Sequence, residues 1–299
     1  MALPAATLAR ENLPTVASGT KLIMLGTGGG PQIGGSRAMT SHAMLSGGAA
    51  YVVDCGLGVT SQLARAGVDM GALRGIFITH HHPDHNVEYG PLLLMSWVDG
   101  RRLPVAAYGP PPLLQMTTDY THMQEYTTKT WSLDIGITPF PQTDVHELTA
   151  TGAVMHDDRV SVRCAIVEHP PVVPAFGYRF DFHDRSIAFS GDTVAVPAMV
   201  ELARNADVLV HEVMDYRAIE AQIRVPNVPP AFAESLLAHM RRDHTPVREA
   251  GRIATEAGVK TLVLSHFVPA SGVSDETWRR AAAETFAGEI IVARDLLVV

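Results

Sequence analysis

Four histidines and an aspartate fall within Thr79-His80-His81-His82-Pro83-Asp84-His85. Imidazole and carboxylate are the donors that borderline cations such as zinc prefer, and the spacing of His80, His82, Asp84 and His85 lets one loop serve two adjacent metals. The loop follows Gly75-Ile76-Phe77-Ile78, a short apolar run that reads as a buried strand. Strand ends are where α/β proteins assemble their sites, and a histidine tag would lie at a terminus instead. A metal site is therefore the expectation.

The elements that must hold this loop are legible on both sides of it. Lys21 to Leu25 reads as a first strand running into the turn Gly26-Thr27-Gly28-Gly29-Gly30-Pro31. That turn lacks the lysine and hydroxyl residue of a P-loop, so a tight turn beside the site fits it better than a phosphate cradle. Ala43 to Leu45 and Ala50 to Asp54 read as paired strands, followed by a helix over 60–66 that ends at Gly67. A helix through 92–97 and a strand over 105–108 come next. Residues 110–158 show no clean period and read as helices and loops over the sheet. Strands are expected over 160–168, 176–182, 186–189, 208–211, 261–265 and 290–292, and helices over 197–205, 246–257 and 275–286. Residues 216–242 read as helices crossing the site. Two such halves imply two mixed sheets packed face to face with helices outside, an αββα sandwich of the α/β class. One domain over 1–299 is expected, with lid-like segments near 110–158 and 216–242.

The 299 residues are 46% hydrophobic, enough to bury a substantial core. A net charge of −8 disfavours a surface built to neutralise phosphate backbones. Met1 to Arg10 has no cationic start before its apolar stretch, and no later run is long and apolar enough to span a bilayer, so no membrane association is expected. Cys55 and Cys164 are too few for a disulfide framework and read as small core residues, which fits a reducing cytoplasm.

The chain resembles the metallo-β-lactamase superfamily, whose HxHxDH signature is met by His80, His82, Asp84 and His85. Further motifs follow in the expected order over nearly the whole length, and the branch it resembles holds ribonuclease Z and the arylsulfatase-like hydrolases. His169 in Val167-Glu168-His169, ahead of Phe176-Gly177-Tyr178-Arg179, is similar to the ribonuclease Z segment carrying a metal histidine. Asp192 in Phe189-Ser190-Gly191-Asp192-Thr193 looks like the bridging carboxylate, and His266 in Leu264-Ser265-His266 like the last histidine ligand. The resemblance assigns His80, His82 and His169 to one divalent ion, and Asp84, His85 and His266 to a second, with Asp192 between them. Zinc is the first choice of metal, and manganese or iron(II) also suit these donors. Glu212 and His244 look like the pair in which a glutamate orients a histidine that protonates the leaving group. His211 is expected to support the ligands from behind, and Asp54 to buttress the metal loop. His81 should point away from the metals. His42, His122, His146, His156, His183 and His239 belong to no motif and read as ordinary surface or core residues.

The resemblance implies a dinuclear metal-dependent hydrolase in which metal-bound hydroxide attacks an ester-type bond, with Asp84, Glu212 and His244 as catalytic residues. An aryl sulfate, a carboxylic ester or lactone, or a phosphodiester is the candidate bond. Met95, Trp97, Met116, Met123, Trp131, Phe140, Ile223, Val225 and Phe232 could line a site for a small apolar or aromatic substrate. The alternative is a ribonuclease Z-like endonuclease acting on RNA 3′ ends. Against it, Ser265-His266-Phe267-Val268-Pro269-Ala270 lacks the serine and arginine that follow this histidine in those nucleases, and no glycine- and lysine-rich arm is evident. The expected partner is thus a small molecule rather than nucleic acid, with a homodimer allowed.

Overall fold

Alternation along the first strand shows how the layers are built. In β1 (Lys21–Gly26), Leu22 and Met24 join one apolar cluster while Ile23 and Leu25 join another, because successive side chains leave a strand on opposite faces. The computed structural model describes residues 19–31, 33 and 35–299; Met1 to Arg10, read above as neither signal nor anchor, lies outside them. The remaining strands are β2 (Ser41–Ser46), β3 (Ala49–Val53), β4 (Leu73–Phe77), β5 (Val105–Gly109), β6 (Thr143–Glu147), β7 (Gly152–His156), β8 (Val160–Val167), β9 (Ala175–Phe182), β10 (Ser186–Phe189), β11 (Val208–Met214), β12 (Thr261–Val268), β13 (Glu289–Val292) and β14 (Leu297–Val298).

They form two seven-stranded sheets, in the orders β14-β1-β2-β3-β4-β5-β6 and β13-β12-β11-β10-β9-β8-β7. Each begins as an antiparallel meander and finishes as a parallel run, β3 to β6 in the first and β10 to β13 in the second. Between the sheets pack Met44, Tyr51 and Phe77 from one side and Tyr178, Phe180 and Phe189 from the other. Phe77 meets Phe180 edge-on with ring centroids 4.9 Å apart, an arrangement favoured by the ring quadrupoles. On the outer face of the first sheet, Val59 and Leu63 from helix Val59–Arg65 and Leu92 and Leu93 from helix Tyr89–Val98 close a second core. Helices Pro197–Ala203 and Val247–Ala257 cover the outer face of the second sheet. The layers are those of the expected αββα sandwich.

Residues 110–158 differ from the expectation of helices and loops over the sheet. Helices Leu113–Met123 and Glu125–Ile135 are there, but the segment also supplies β6 and β7, an edge strand for each sheet. Both are largely exposed, so neither carries the apolar alternation that marks a strand with one buried face. The two-residue β14, which pairs Ile23 with Val298 at the other edge of the first sheet, is too short to leave a periodic signal. Among the described residues, no helix is long and apolar enough to cross a membrane.

Candidate metal centre

The parallel strands of both sheets direct their carboxyl ends to one place, and the turns leaving them carry the expected residues. β4 ends at Phe77, and the loop from Ile78 leads into the short helix Pro83–Asn86, bearing His80, His82, Asp84 and His85. His169 follows β8, Asp192 follows β10, Glu212 lies within β11, and His266 lies near the end of β12. Two local irregularities aim these side chains. The register between β11 and β12 slips between Glu212 and Val213, and the extra residue, His266, has φ 47°. A bulge of this kind re-aims a side chain that regular pleating would send elsewhere. Before Asp192, Gly191 adopts φ 59°, where a Cβ would stand 2.7 Å from the Phe176 carbonyl oxygen; only glycine fits that turn without strain.

The donor atoms fall into two sets sharing one carboxylate. His82 Nδ1 lies 3.1 Å from His80 Nε2 and 3.1 Å from His169 Nε2, with Asp192 Oδ2 3.8 Å from His80 Nε2 and 3.9 Å from His169 Nε2. In the second set, Asp192 Oδ2 lies 3.3 Å from His85 Nε2 and 3.1 Å from His266 Nε2, and Asp84 Oδ2 lies 3.3 Å from His266 Nε2. Nitrogens at such spacing match the edge of a tetrahedron, about 3.3 Å for metal–nitrogen bonds of about 2.0 Å. Buried His85 Nε2 and Asp192 Oδ1 make no hydrogen bond, which is costly for protein alone and natural for atoms that face a cation. The donor set thus fits two divalent ions.

Supporting contacts fix which ring nitrogen faces inward. His85 Nδ1 is 2.9 Å from Asp54 Oδ2, and the same carboxylate accepts from the Thr79 amide at 2.8 Å. Asp54 itself has φ 61° at the end of β3. His169 Nδ1 is 2.8 Å from the Asp243 carbonyl oxygen, and His80 Nδ1 is 3.1 Å from Thr79 Oγ1. Each bond leaves Nε2 for the centre. The Gly30 amide donates to Asp84 Oδ2 at 2.8 Å. Gly29 lies flush against His266, since a Cβ there would stand 2.6 Å from His266 Nδ1.

The carboxylates raise the pKa of the imidazoles they face most closely. Burial lowers the His266 pKa, but the Asp192 charge and hydrogen bonds to Asp192 and Asp84 outweigh it and raise the value to about 10. His85 is likewise held well above the ordinary range: burial opposes, and Asp192, Asp84 and Asp54 prevail. At His82, burial and His169 outweigh Asp192 and Asp84 and push the value down to about 4.

Beside the second set, His244 Nδ1 lies 2.8 Å from Glu212 Oε2, and Glu212 Oε1 accepts from the Thr193 amide at 2.6 Å. Burial opposes the charged form of His244, yet Glu212 raises its pKa. Glu212, His244 and His266 also cluster closely enough to hold an ion, with Glu212 and His244 hydrogen-bonded directly to each other. His81 turns away as expected, with Nε2 2.8 Å from the Pro110 carbonyl oxygen. His211 places Nδ1 2.8 Å from the Glu212 carbonyl oxygen, so the backing expected of it falls to Asp54, Thr79 and the Asp243 carbonyl.

The cleft over the centre, about 270 Å³, is lined by His82, Asp84, Asp192, His244 and His266, with Gly30, Pro31, Pro83, Leu236, His239, Met240 and Val268 as its walls. None of the nine apolar residues proposed from the sequence lines it. Trp97 is buried against Phe140, while Met123 and Phe232 face solvent. His239 was missed. The signal was the helical spacing of Leu236, His239, Met240 and Asp243 on helix Pro230–Asp243, which places them on one face.

A family model described as the Beta-lactamase superfamily domain matches residues 50–267. The chain is 37% identical over 290 residues to the ribonuclease Z of Mycobacterium bovis (strain BCG / Pasteur 1173P2), covering 92% of this chain and 96% of that protein. It belongs to the metallo-β-lactamase superfamily, in its ribonuclease Z branch. Ribonuclease Z of Mycobacterium marinum is 36% identical over 289 residues, with the same coverage. Among solved structures, the metallo-β-lactamase fold protein YhfI from Bacillus subtilis superposes with TM-score 0.70 at 21% identity, over 94% of this chain and all of that one. The short form of human tRNase Z gives TM-score 0.66 at 22% identity, over 93% and 98%. At these identities the two structures speak for the fold alone. Membership in the superfamily makes the chain a metal-dependent hydrolase.

The expectation that nucleic acid is not a partner is overturned by the ribonuclease Z relatives. Net charge is a sum over the whole surface, whereas a phosphate meets only the cleft, where two dications would dominate the local field. The missing serine and arginine after His266 remain a departure: in Phe267-Val268-Pro269-Ala270 the Phe267 ring packs on Trp278 and beneath the Arg37 guanidinium, 4.3 Å from the ring centroid, while Val268 lines the cleft.

Proposed function

We propose that the chain is a ribonuclease Z-like endonuclease that cleaves a phosphodiester near the 3′ end of an RNA with two bound divalent ions, zinc in the first instance. The carrying observation is the pair of donor sets sharing Asp192, joined to 37% identity with a ribonuclease Z along nearly the whole chain. An aryl sulfate or carboxylic ester, favoured from the sequence alone, has no comparable support. His80, His82, His169 and Asp192 would hold one ion, and Asp84, His85, His266 and Asp192 the other. Two such ions supply a nucleophile from water at neutral pH and neutralise charge gathering on the phosphoryl oxygens.

The protein's own side chains do the rest. Asp54, Thr79 and the Asp243 carbonyl hold the ligand rings in one tautomer and orientation, so that no reorganisation is needed during reaction. Glu212 keeps a proton on His244 Nδ1 and favours the imidazolium, whose Nε2–H can be given to the departing ribose oxygen. Pro31, Leu236, Met240 and Val268 form apolar walls of the cleft.

The test is cleavage of a transfer RNA precursor with a 3′ extension by metal-loaded protein, read on a denaturing gel. A single cut, giving two fragments that disappear with chelator and return with zinc, is expected. An intact precursor beside protein carrying two ions overturns the proposal.

A further inference from the structure

A second imidazole–carboxylate pair stands at the mouth of the cleft. His239 and Asp243 are one helical turn apart on Pro230–Asp243, and His239 Nδ1 lies 2.5 Å from Asp243 Oδ2. The Asp243 side chain is fully buried, and it also accepts from Arg242 Nε at 2.8 Å and Nη2 at 2.7 Å. A buried carboxylate bonded from two sides is a fixed support, so the His239 ring is held rather than free to sample rotamers. That ring stays 29% exposed and lines the cleft. Its centroid is 5.4 Å from that of His244, 6.1 Å from His169 and 6.3 Å from His82. The cleft therefore carries two carboxylate-backed imidazoles side by side: His244 on Glu212, and His239 on Asp243.

We propose that His239 is a further substrate-contacting residue, whose Nε2–H holds a non-bridging oxygen of the scissile phosphodiester while Asp243 orients the ring. The carboxylate accepts the proton on Nδ1, which turns Nε2 outward from the helix. A phosphate oxygen is an ionised acceptor, so an N–H given to it from the ring makes a charge-assisted hydrogen bond. The flanking Leu236 and Met240 lie on the same helical face and dry this contact, which strengthens it. His239, whose ring lies nearest His244 and beside His169 and His82, belongs to neither donor set, so it can reach the phosphoryl group without taking a ligand position. The assignment rests on the phosphodiesterase reading above and names a group that this reading does not require.

The experiment compares wild type, His239→Ala and His239→Gln on two substrates, the 3′-extended RNA and bis(p-nitrophenyl) phosphate, with metal content measured on each preparation. Gln is chosen because its amide N–H can reach the position of Nε2–H. His239→Ala is expected to lower kcat/KM on both substrates roughly ten- to a hundredfold, the range for a hydrogen bond to a charged group, with two ions per chain retained. His239→Gln should recover most of that loss. Full activity in the alanine variant, loss of metal from it, or a glutamine variant no better than alanine overturns the assignment. If wild type cleaves the nitrophenyl diester but no RNA, the RNA reading fails while the role of His239 is still decided on the diester. If wild type cleaves neither, both fall.

Discussion

Asp84 and His81 share one loop but face different surroundings. Asp84 Oδ2 lies among the second donor set and is held by the Gly30 amide, whereas His81 is bonded to the Pro110 carbonyl and Asn86. Asp84→Ala should therefore abolish turnover and cost one ion per chain, while His81→Ala should stay within about threefold of wild type; equal losses, measured by kcat/KM and elemental analysis, would show the loop to be misassigned. His244 makes a different prediction, because general-acid help matters most when the leaving group is a strong base. His244→Ala should slow cleavage of RNA by roughly a hundredfold or more, yet spare a nitrophenyl diester, with metal content unchanged. Equal slowing of both substrates would remove the relay with Glu212. At this scale the sequence was most informative where residue type alone carries chemistry. His239 escaped because its meaning depends on what the helix faces.

At the scale of elements, the site depends on how closely the turns approach the ligands. Gly29→Ala puts a Cβ into the space of the His266 ring. It is expected to lower the stoichiometry from two ions to one while circular dichroism stays native; two retained ions would show that the turn gives way instead. The parallel strands are tied at their opposite ends by Asp207. Its Oδ2 accepts from the Ser186 amide at 2.7 Å, where β10 starts, and its Oδ1 from Lys260 Nζ at 2.6 Å, next to the start of β12. Burial pushes the Asp207 pKa up, but the Lys260 and Ser186 bonds outweigh this and hold it near 2, below the ordinary 3.8. A depressed carboxylate stabilises the fold above its unfolded pKa and loses that contribution as pH falls through the window from about 4 to about 2. Asp207→Asn should thus lower the urea midpoint of chelator-treated protein at pH 7 and lower it much less at pH 2. Lys260 is largely exposed, so solvent screening keeps the effect to about 1 kcal/mol or less; an equal effect at both pH values would exclude the ion pair as the cause. The buried strands were plain in the sequence because their apolar runs are bounded by turns. β6, β7 and β14 were not, since an exposed edge strand obeys no burial pattern.

For the whole molecule, the decisive arrangement is that neither sheet holds a complete donor set. His80, His82, Asp84 and His85 come from the first sheet, and His169, Asp192 and His266 from the second, so each ion would bridge the sandwich. The sandwich could be inferred from the alternation of strands and helices in both halves of the chain. The cleft could not, because its walls come from segments far apart in sequence, Pro31, Leu236 and Val268 among them. The charge of the whole chain misled for a related reason, as the sign that matters to a phosphate is set at the centre. The most direct test of the account is a titration of chelator-treated protein with zinc while cleavage of 3′-extended RNA is followed. Activity should be absent at the start, rise with added metal and level off at two equivalents per chain; full cleavage by the metal-free protein, or a plateau at one equivalent, would contradict it.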